Sequence, residues 1–75
     1  MHFDKEIDVR GLYCPYPFLR SKKALTAMAS GQVLHVLLTD PSSLKHFGDF
    51  AELTGNELLE TAEKDKAFEV YLMRK

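Results

Sequence analysis

The chain has 75 residues, 45% of them apolar, with 10 Lys plus Arg against 11 Asp plus Glu. A chain of this length forms one core, so we expect a single domain over residues 1–75. The balanced charge argues against direct binding of nucleic acid, which would favour a clearly basic domain. No apolar run approaches the ~18 residues of a membrane span, and no charged-then-apolar leader is visible, so we expect no membrane association.

The cysteine and histidine content limits the chemistry available to the chain. Cys14 is the one cysteine and cannot form an internal disulfide, which is typical of a reducing compartment and predicts a cytoplasmic location. The three histidines, at positions 2, 35 and 46, show no metal-ligand spacing with it, so we expect neither a metal nor a cofactor. His35 falls inside an apolar strand pattern and is expected to lie on a face of the sheet.

The first strand and the turn after it lead to the cysteine. Ile7 and Val9 alternate with polar residues, which predicts a strand ending near Gly11, with Phe3 on the same face. Gly11 is a natural site for a backbone conformation that other residues avoid. Pro15 or Pro17 then opens a helix, because proline suits the first turn of a helix and not its interior. Cys14 therefore lies within about one turn of a helix N-terminus.

The remaining elements follow from apolar periodicity and from Gly and Pro signals. The first helix buries a stripe and ends at Ser30-Gly31, while its basic residues form a solvated face; the stripe comprises Phe18, Ser21, Ala24, Leu25 and Met28, and the basic residues are Arg20, Lys22 and Lys23. A strand covers residues 33–39. Gly48 is expected to divide the next helical region into a first turn from Ser42 and a better helix from Asp49 to Thr54, closed by Gly55. Its apolar face is predicted to comprise Leu44, Phe47, Phe50, Ala51 and Leu53.

Two further strand-length runs, at residues 57–63 and 67–73, form a hairpin around Lys64-Asp65-Lys66. The order β-α-β-α-β-β predicts an α/β two-layer sandwich, with two helices on one face of a four-stranded mixed sheet. The first two strands are expected to be parallel, because they are joined through a helix. Both strands then end at one edge of the sheet, which brings the Cys14 turn beside the turn from Asp40 to Ser43.

The position of Cys14 suggests a nucleophilic role. The first turn of a helix carries partial positive charge and favours the thiolate, although Asp40 on the neighbouring turn opposes this effect. Thiolate is the form that attacks sulfur. Three alternatives remain open at this point: a buried structural thiol, a redox-sensing thiol, which would normally need a second cysteine nearby, and an RNA-binding or protein-interaction module.

The motif Gly11-Leu12-Tyr13-Cys14-Pro15-Tyr16-Pro17, followed by a helix and then by a strand that ends at Asp40-Pro41, resembles the small sulfur carriers of the TusA and SirA family. The resemblance implies a fold like the C-terminal domain of translation initiation factor three. It also implies that Cys14 carries sulfane sulfur as a persulfide. Members of this family receive sulfur from a cysteine desulfurase or a rhodanese-type donor and pass it to an acceptor protein, toward tRNA thiouridine, molybdenum cofactor or sulfur oxidation.

On this resemblance we expect a monomeric carrier with a cysteine nucleophile, rather than an independent multi-turnover enzyme. The chain departs from the family pattern at three positions. Tyr16 stands where many relatives have an acidic residue, Tyr13 where a basic residue is common, and Ala51 where well-studied carriers have another cysteine. Exposed tyrosines here would form, with the two prolines, an apolar collar suited to a partner surface. Asp40 and Ser42, on the neighbouring turn, are further candidates for contact with a partner.

Overall fold

Two helices pack on one face of a four-stranded sheet in the computed structural model, which describes residues 2–75. Met1 of the predicted domain lies outside the described residues. The elements are β1 Lys5–Asp8, α1 Tyr16–Thr26, β2 Val33–Leu38, α2 Pro41–Thr54, β3 Glu57–Lys64 and β4 Ala67–Met73. The strand order is β1-β2-β4-β3, with β1 parallel to β2 and the other neighbours antiparallel. The predicted fold class is confirmed.

The core lies between the sheet and the helices. Alternate residues of β2 and β4 point to it, because side chains along a strand alternate between the two faces. The fully enclosed members of this layer are Leu34, Val36, Leu38, Val70 and Leu72, and Phe47 fills the centre from α2. Helix α1 contributes Ser21, Ala24 and Leu25, with Phe18 and Met28 packed at the margin, so the predicted stripe is confirmed.

Helix α1 begins where the prolines predict. Pro15 is the N-cap and Pro17 lies buried in the first turn. The helix ends at Thr26, two residues before the predicted stripe ends. The N–H groups of Ala27 and Met28 instead donate to carbonyls three residues earlier, at 3.2 and 3.1 Å, which is the tightening common in a last turn.

Helix α2 runs unbroken from Pro41 to Thr54, so the predicted interruption at Gly48 is wrong. A glycine inside a helix costs only about 1 kcal/mol, and the burial of Phe47 and Ala51 on the same element outweighs that cost. Leu53 also differs from the prediction, since it is 87% exposed. It lies two residues, or about 200° of helical rotation, beyond Ala51 and therefore faces away from the core.

The last two strands form the predicted hairpin. Asp65 and Lys66 turn the chain with φ of 52° and 65°, the positive values that a two-residue turn between antiparallel strands requires. Gly55 ends α2 with φ of 73°, as its position after the helix predicts. Neither helix within residues 2–75 combines the length and the apolar character needed to cross a membrane.

The face of the sheet opposite the helices carries a small aromatic stack. Phe3 lies on His35, with ring centroids 4.8 Å apart, and His35 lies on Tyr71 at 4.6 Å. Phe3 was expected on the face of Ile7 and Val9, and that prediction is wrong. Ile7 pairs with Val36 and packs against the core, whereas Phe3 precedes β1 and reaches the opposite face, where the two rings offer it a stacking surface.

Candidate functional site

Cys14 lies in the turn between β1 and α1, and its side chain is exposed to solvent. The peptide bond that joins it to Pro15 is cis. The carbonyl of Pro15 accepts from the N–H of Leu19 at 3.0 Å, so the helical hydrogen bonds start one residue after the cysteine. This exposure confirms the predicted accessibility of the thiol and argues against a buried structural role.

Two hydrogen bonds join the Cys14 turn to the end of β2. The N–H of Gly11 donates to Thr39 Oγ1 at 2.9 Å, and the N–H of Cys14 donates to Asp40 Oδ2 at 3.3 Å. Gly11 has φ of 83°, in the left-handed region that favours glycine. The two turns lie side by side, as the parallel pairing of β1 and β2 predicts.

Asp40 connects the thiol turn to helix α2. It is the N-cap of α2 and only 7% exposed. Its Oδ1 accepts from the N–H of Ser42 at 3.2 Å, and its Oδ2 accepts from Ser43 Oγ at 2.8 Å in addition to the Cys14 N–H. The Ser43 hydroxyl, followed by these backbone donors, holds the pKa of the Asp40 carboxyl below its usual range, although burial acts in the opposite direction.

This geometry places Asp40 inside the turn, where it positions the backbone of Cys14, and its contact with a partner stays a prediction. Ser42 has an exposed side chain beside the thiol turn and remains available to a partner. Ser43, which sequence reasoning missed, is fully buried and supplies the shortest bond to Asp40. The sequence did contain an indication of this role, because a side chain three residues after an N-cap can hydrogen-bond back to the N-cap residue.

The surface around Cys14 is apolar and open. Tyr13 is 68% exposed and Tyr16 is 56% exposed, so neither folds back onto the core. Leu19, one turn along α1, extends the same kind of surface and was not singled out from the sequence. Pro17, which was also expected in this apolar collar, is buried in the first turn of α1 and takes no part in it. We call Tyr13, Pro15, Tyr16 and Leu19 the collar. Exposed tyrosines present large rigid rings with a polar tip, which is the composition favoured at protein interfaces.

An ion pair fixes the other end of the turn. Arg10 donates through Nε and Nη2 to the two oxygens of Asp8, at 2.9 and 2.7 Å, and its backbone N–H donates to Oδ1 at 3.0 Å. The side-chain hydrogen bonds from Arg10 lower the pKa of Asp8 to about 2. The residues on both sides of Gly11 are therefore held, which limits the positions that the thiol turn can adopt.

His35 lies apart from this site. It is buried on the open face of the sheet, where its Nε2 lies 2.9 Å from Glu69 Oε2. That contact, followed by the hydroxyl of Tyr71, holds the pKa of Glu69 below its usual range, although burial opposes it. Nowhere in residues 2–75 do three His, Cys, Asp or Glu side chains form a group able to hold a metal ion.

Comparisons with known proteins agree with this geometry. The family model described as Sulfurtransferase TusA matches residues 5–75. The sulfur carrier protein TusA of Allochromatium vinosum is 56% identical over 73 residues, covering 97% of this chain and 95% of that protein. The TusA of Pseudomonas entomophila is 36% identical over 72 residues, covering 96% and 89%. The crystal structure of a SirA-like protein from Desulfitobacterium hafniense superposes with a TM-score of 0.82 at 35% identity, covering 93% of this chain and 96% of that one. The chain therefore belongs to the TusA family of sulfur carriers.

Proposed function

We propose that the chain accepts sulfane sulfur as a persulfide on Cys14 and relays it to an acceptor protein. The observation that carries this proposal is an exposed thiol at the start of α1, on a turn fixed from both sides and surrounded by the apolar collar. An exposed sulfur gives a donor and an acceptor access to the same atom. A fixed turn lets it meet each of them in one orientation, so that less freedom is lost on docking.

The transfer consists of two displacements at sulfur. The Cys14 thiolate attacks the outer sulfur of a donor persulfide, the donor thiolate leaves, and Cys14 holds the sulfur as Cys14–S–SH. An acceptor thiolate then attacks that outer sulfur and Cys14 leaves as the thiolate. Because the chain contains no second cysteine, the persulfide cannot collapse into an internal disulfide. Both steps are therefore intermolecular, and the protein acts as a carrier rather than as an independent multi-turnover enzyme.

The partners follow from the same chemistry. A cysteine desulfurase or a rhodanese-type protein supplies the persulfide, and the acceptor belongs to a sulfur relay such as tRNA thiolation, molybdenum cofactor assembly or sulfur oxidation. A free thiol that must stay reduced between cycles fits the cytoplasm. Tyr13 and Tyr16 contact the partner, and the carrier works as a monomer that has no cofactor and does not itself touch nucleic acid.

A load-and-chase experiment tests this function. The protein is mixed with a cysteine desulfurase, cysteine and pyridoxal phosphate, and its intact mass should rise by one sulfur, about 32 Da. After removal of the desulfurase, a protein with an accessible acceptor thiol should take that mass away, and dithiothreitol should do the same. A chain that gains no mass, or gains mass that neither treatment removes, is not a sulfur carrier of this kind.

A further inference from the structure

A groove of about 400 Å³ runs between α1 and the outer edge of β1, and neither the thiol chemistry nor the collar uses it. Its floor is apolar and formed by Ile7, Ala24 and Ala27, while Lys5, Arg20 and Lys23 supply charge at its sides. The basic residues of α1 are thus divided between two surfaces. Arg20 and Lys23 line the groove, whereas Lys22 lines a different depression, beside Leu53 and Arg74.

One wall of the groove is an unpaired strand edge. β1 is the first strand in the order β1-β2-β4-β3, so its outer side has no neighbour within the described chain. The N–H of Val9, just after β1, donates to Leu37 on β2 at 2.8 Å, as expected where Asp8 pairs with Leu37. Because successive N–H groups of a strand point to opposite sides, those of Ile7 and Lys5 face β2, and those of Glu6 and Asp8 point outward. Lys5 and Ile7 direct their side chains toward the helix layer, since they pair with Leu34 and Val36 of the core.

The charge of the groove is positive and free to interact. Among residues 2–75, Lys5, Arg20 and Lys23 form no ion pair within 4.0 Å, a distance that Arg10 satisfies with Asp8 and Lys75 with Glu57. The one acidic residue that lines the groove is Asp8, and Arg10 already neutralises it at 2.7 Å. Three cations therefore lie around an apolar floor without an internal counter-charge.

From these features we infer that the groove binds an extended acidic segment of a partner protein, which adds a strand to the edge of β1. Backbone groups of the segment pair with Glu6 and Asp8. Because side chains alternate, every second one points under α1, where carboxylates meet Arg20 and Lys23. A lysine on an edge strand also discourages aggregation, but that role does not require two further cations on the facing helix.

The position of the groove makes it useful during docking at the thiol. Lys23 lies seven residues after the start of α1, a distance of about 10 Å along the helix axis. A segment held there tethers its protein close to the Cys14 turn without covering the sulfur. Cys14 does not line the groove, so binding should not require the thiol.

The test uses a fluorescent eight-residue peptide in which glutamate alternates with threonine, titrated against the whole chain and followed by anisotropy. We expect saturable binding, with the amide signals of Glu6 and Asp8 shifted in a ¹H–¹⁵N spectrum. Lys23→Glu and Arg20→Glu should each weaken binding by about three- to tenfold, as expected for exposed charge pairs that become repulsive. Raising salt from roughly 50 to 300 mM should weaken it further, because exposed charges are screened.

Three controls define the result. Lys22→Glu, on the same helix but outside the groove, should leave the affinity unchanged, and so should Cys14→Ser. A peptide with lysine in place of glutamate should not bind. Equal weakening by Lys22→Glu and Lys23→Glu would mean that net charge attracts the peptide, and the inference would be overturned. Self-association that Lys23→Glu abolishes would overturn it too, since the occupant would then be the acidic β3 edge of a second copy.

Discussion

Ser43 is the residue through which the structure links the thiol turn to the stability of the domain, and Ser43→Ala tests that link. Its hydroxyl is fully buried and donates to Asp40 Oδ2 at 2.8 Å, the same oxygen that receives the N–H of Cys14. Alanine retains the β-carbon and removes this one bond. The neighbouring Ser42 has an exposed side chain, so Ser42→Ala is a matched control on the same helical turn.

The size of the effect follows from the kind of bond lost. A hydrogen bond to a charged acceptor contributes about 1.5–3 kcal/mol, and the better helix propensity of alanine returns about 0.5 kcal/mol. Ser43→Ala should therefore lower the free energy of unfolding by about 1–2.5 kcal/mol, whereas Ser42→Ala should stay within about 0.5 kcal/mol of wild type. For a domain of this size each kcal/mol corresponds to a fall of roughly 4–8 °C in the melting temperature.

The pH dependence gives a second, independent reading. The pKa of Asp40 in the folded state lies below its ordinary value of 3.8, chiefly because of the Ser43 hydroxyl. Its stabilising contribution is therefore complete above the unfolded pKa and is lost as the pH falls through the folded value. The stability difference between wild type and Ser43→Ala should be constant near neutral pH and shrink below about pH 4.

Urea unfolding followed by circular dichroism, at pH 7 and at several values below 4, measures both quantities for the two variants. A cost of Ser42→Ala equal to that of Ser43→Ala would show that the bond to Asp40 is not the cause. A difference that stays constant into acid would show that the carboxylate does not receive the bond in its charged form. Either result would refute the proposed link between α2 and the thiol turn.

Three further predictions concern the backbone, the collar and the open face. Gly11→Ala places a side chain at φ of 83° and should destabilise the chain by about 1–2 kcal/mol, whereas Gly48→Ala, whose methyl meets no neighbouring atom closer than 3.9 Å, should stabilise it by about 0.5–1 kcal/mol. Urea unfolding distinguishes these opposite signs, and equal signs would contradict the backbone argument. Tyr16→Ala should weaken docking to the sulfur donor, measured by calorimetry, while the melting temperature stays nearly unchanged; a large fall in melting temperature would refute the collar. Glu69→Gln should make the free energy of unfolding less dependent on pH below about 4.5. His35 holds the pKa of Glu69 low, so wild type loses stability when this carboxylate is protonated and the variant does not; an acid transition identical to wild type would contradict this.

Much of the site was predictable because local chemistry determines it. The prolines locate the start of α1 whatever surrounds them, and strand–helix–strand order alone brings the Cys14 and Asp40 turns together. The misassigned helix break at Gly48 has the opposite character. The low helix propensity of glycine costs about 1 kcal/mol and can be read from the sequence. The free energy gained by burying Phe47 and Ala51 exceeds that cost, but it depends on the whole fold.

The remaining differences also arise from contacts between distant parts of the chain. The apolar side chain of Phe3 is compatible with either face of the sheet, and only the positions of His35 and Tyr71 show on which face it packs. Asp40 is a good N-cap by sequence, but its bond to the N–H of Cys14 joins residues 26 positions apart. The groove beside β1 is of the same kind, since Lys5 and Lys23 meet only because α1 lies over the strand edge.

The central claim is that Cys14 carries sulfur and does not support the fold, and Cys14→Ser tests it directly. At an exposed turn this change leaves no cavity, so the free energy of unfolding should stay within about 0.5 kcal/mol of wild type. Sulfur loading should be abolished, because a hydroxyl supplies neither the nucleophile nor the S–S bond. The decisive measurement is intact mass after incubation with a desulfurase, cysteine and pyridoxal phosphate, made on variant protein shown to be folded. We predict a gain of about 32 Da in wild type and none in folded Cys14→Ser; the same gain in both, or a variant that does not fold, would contradict the account.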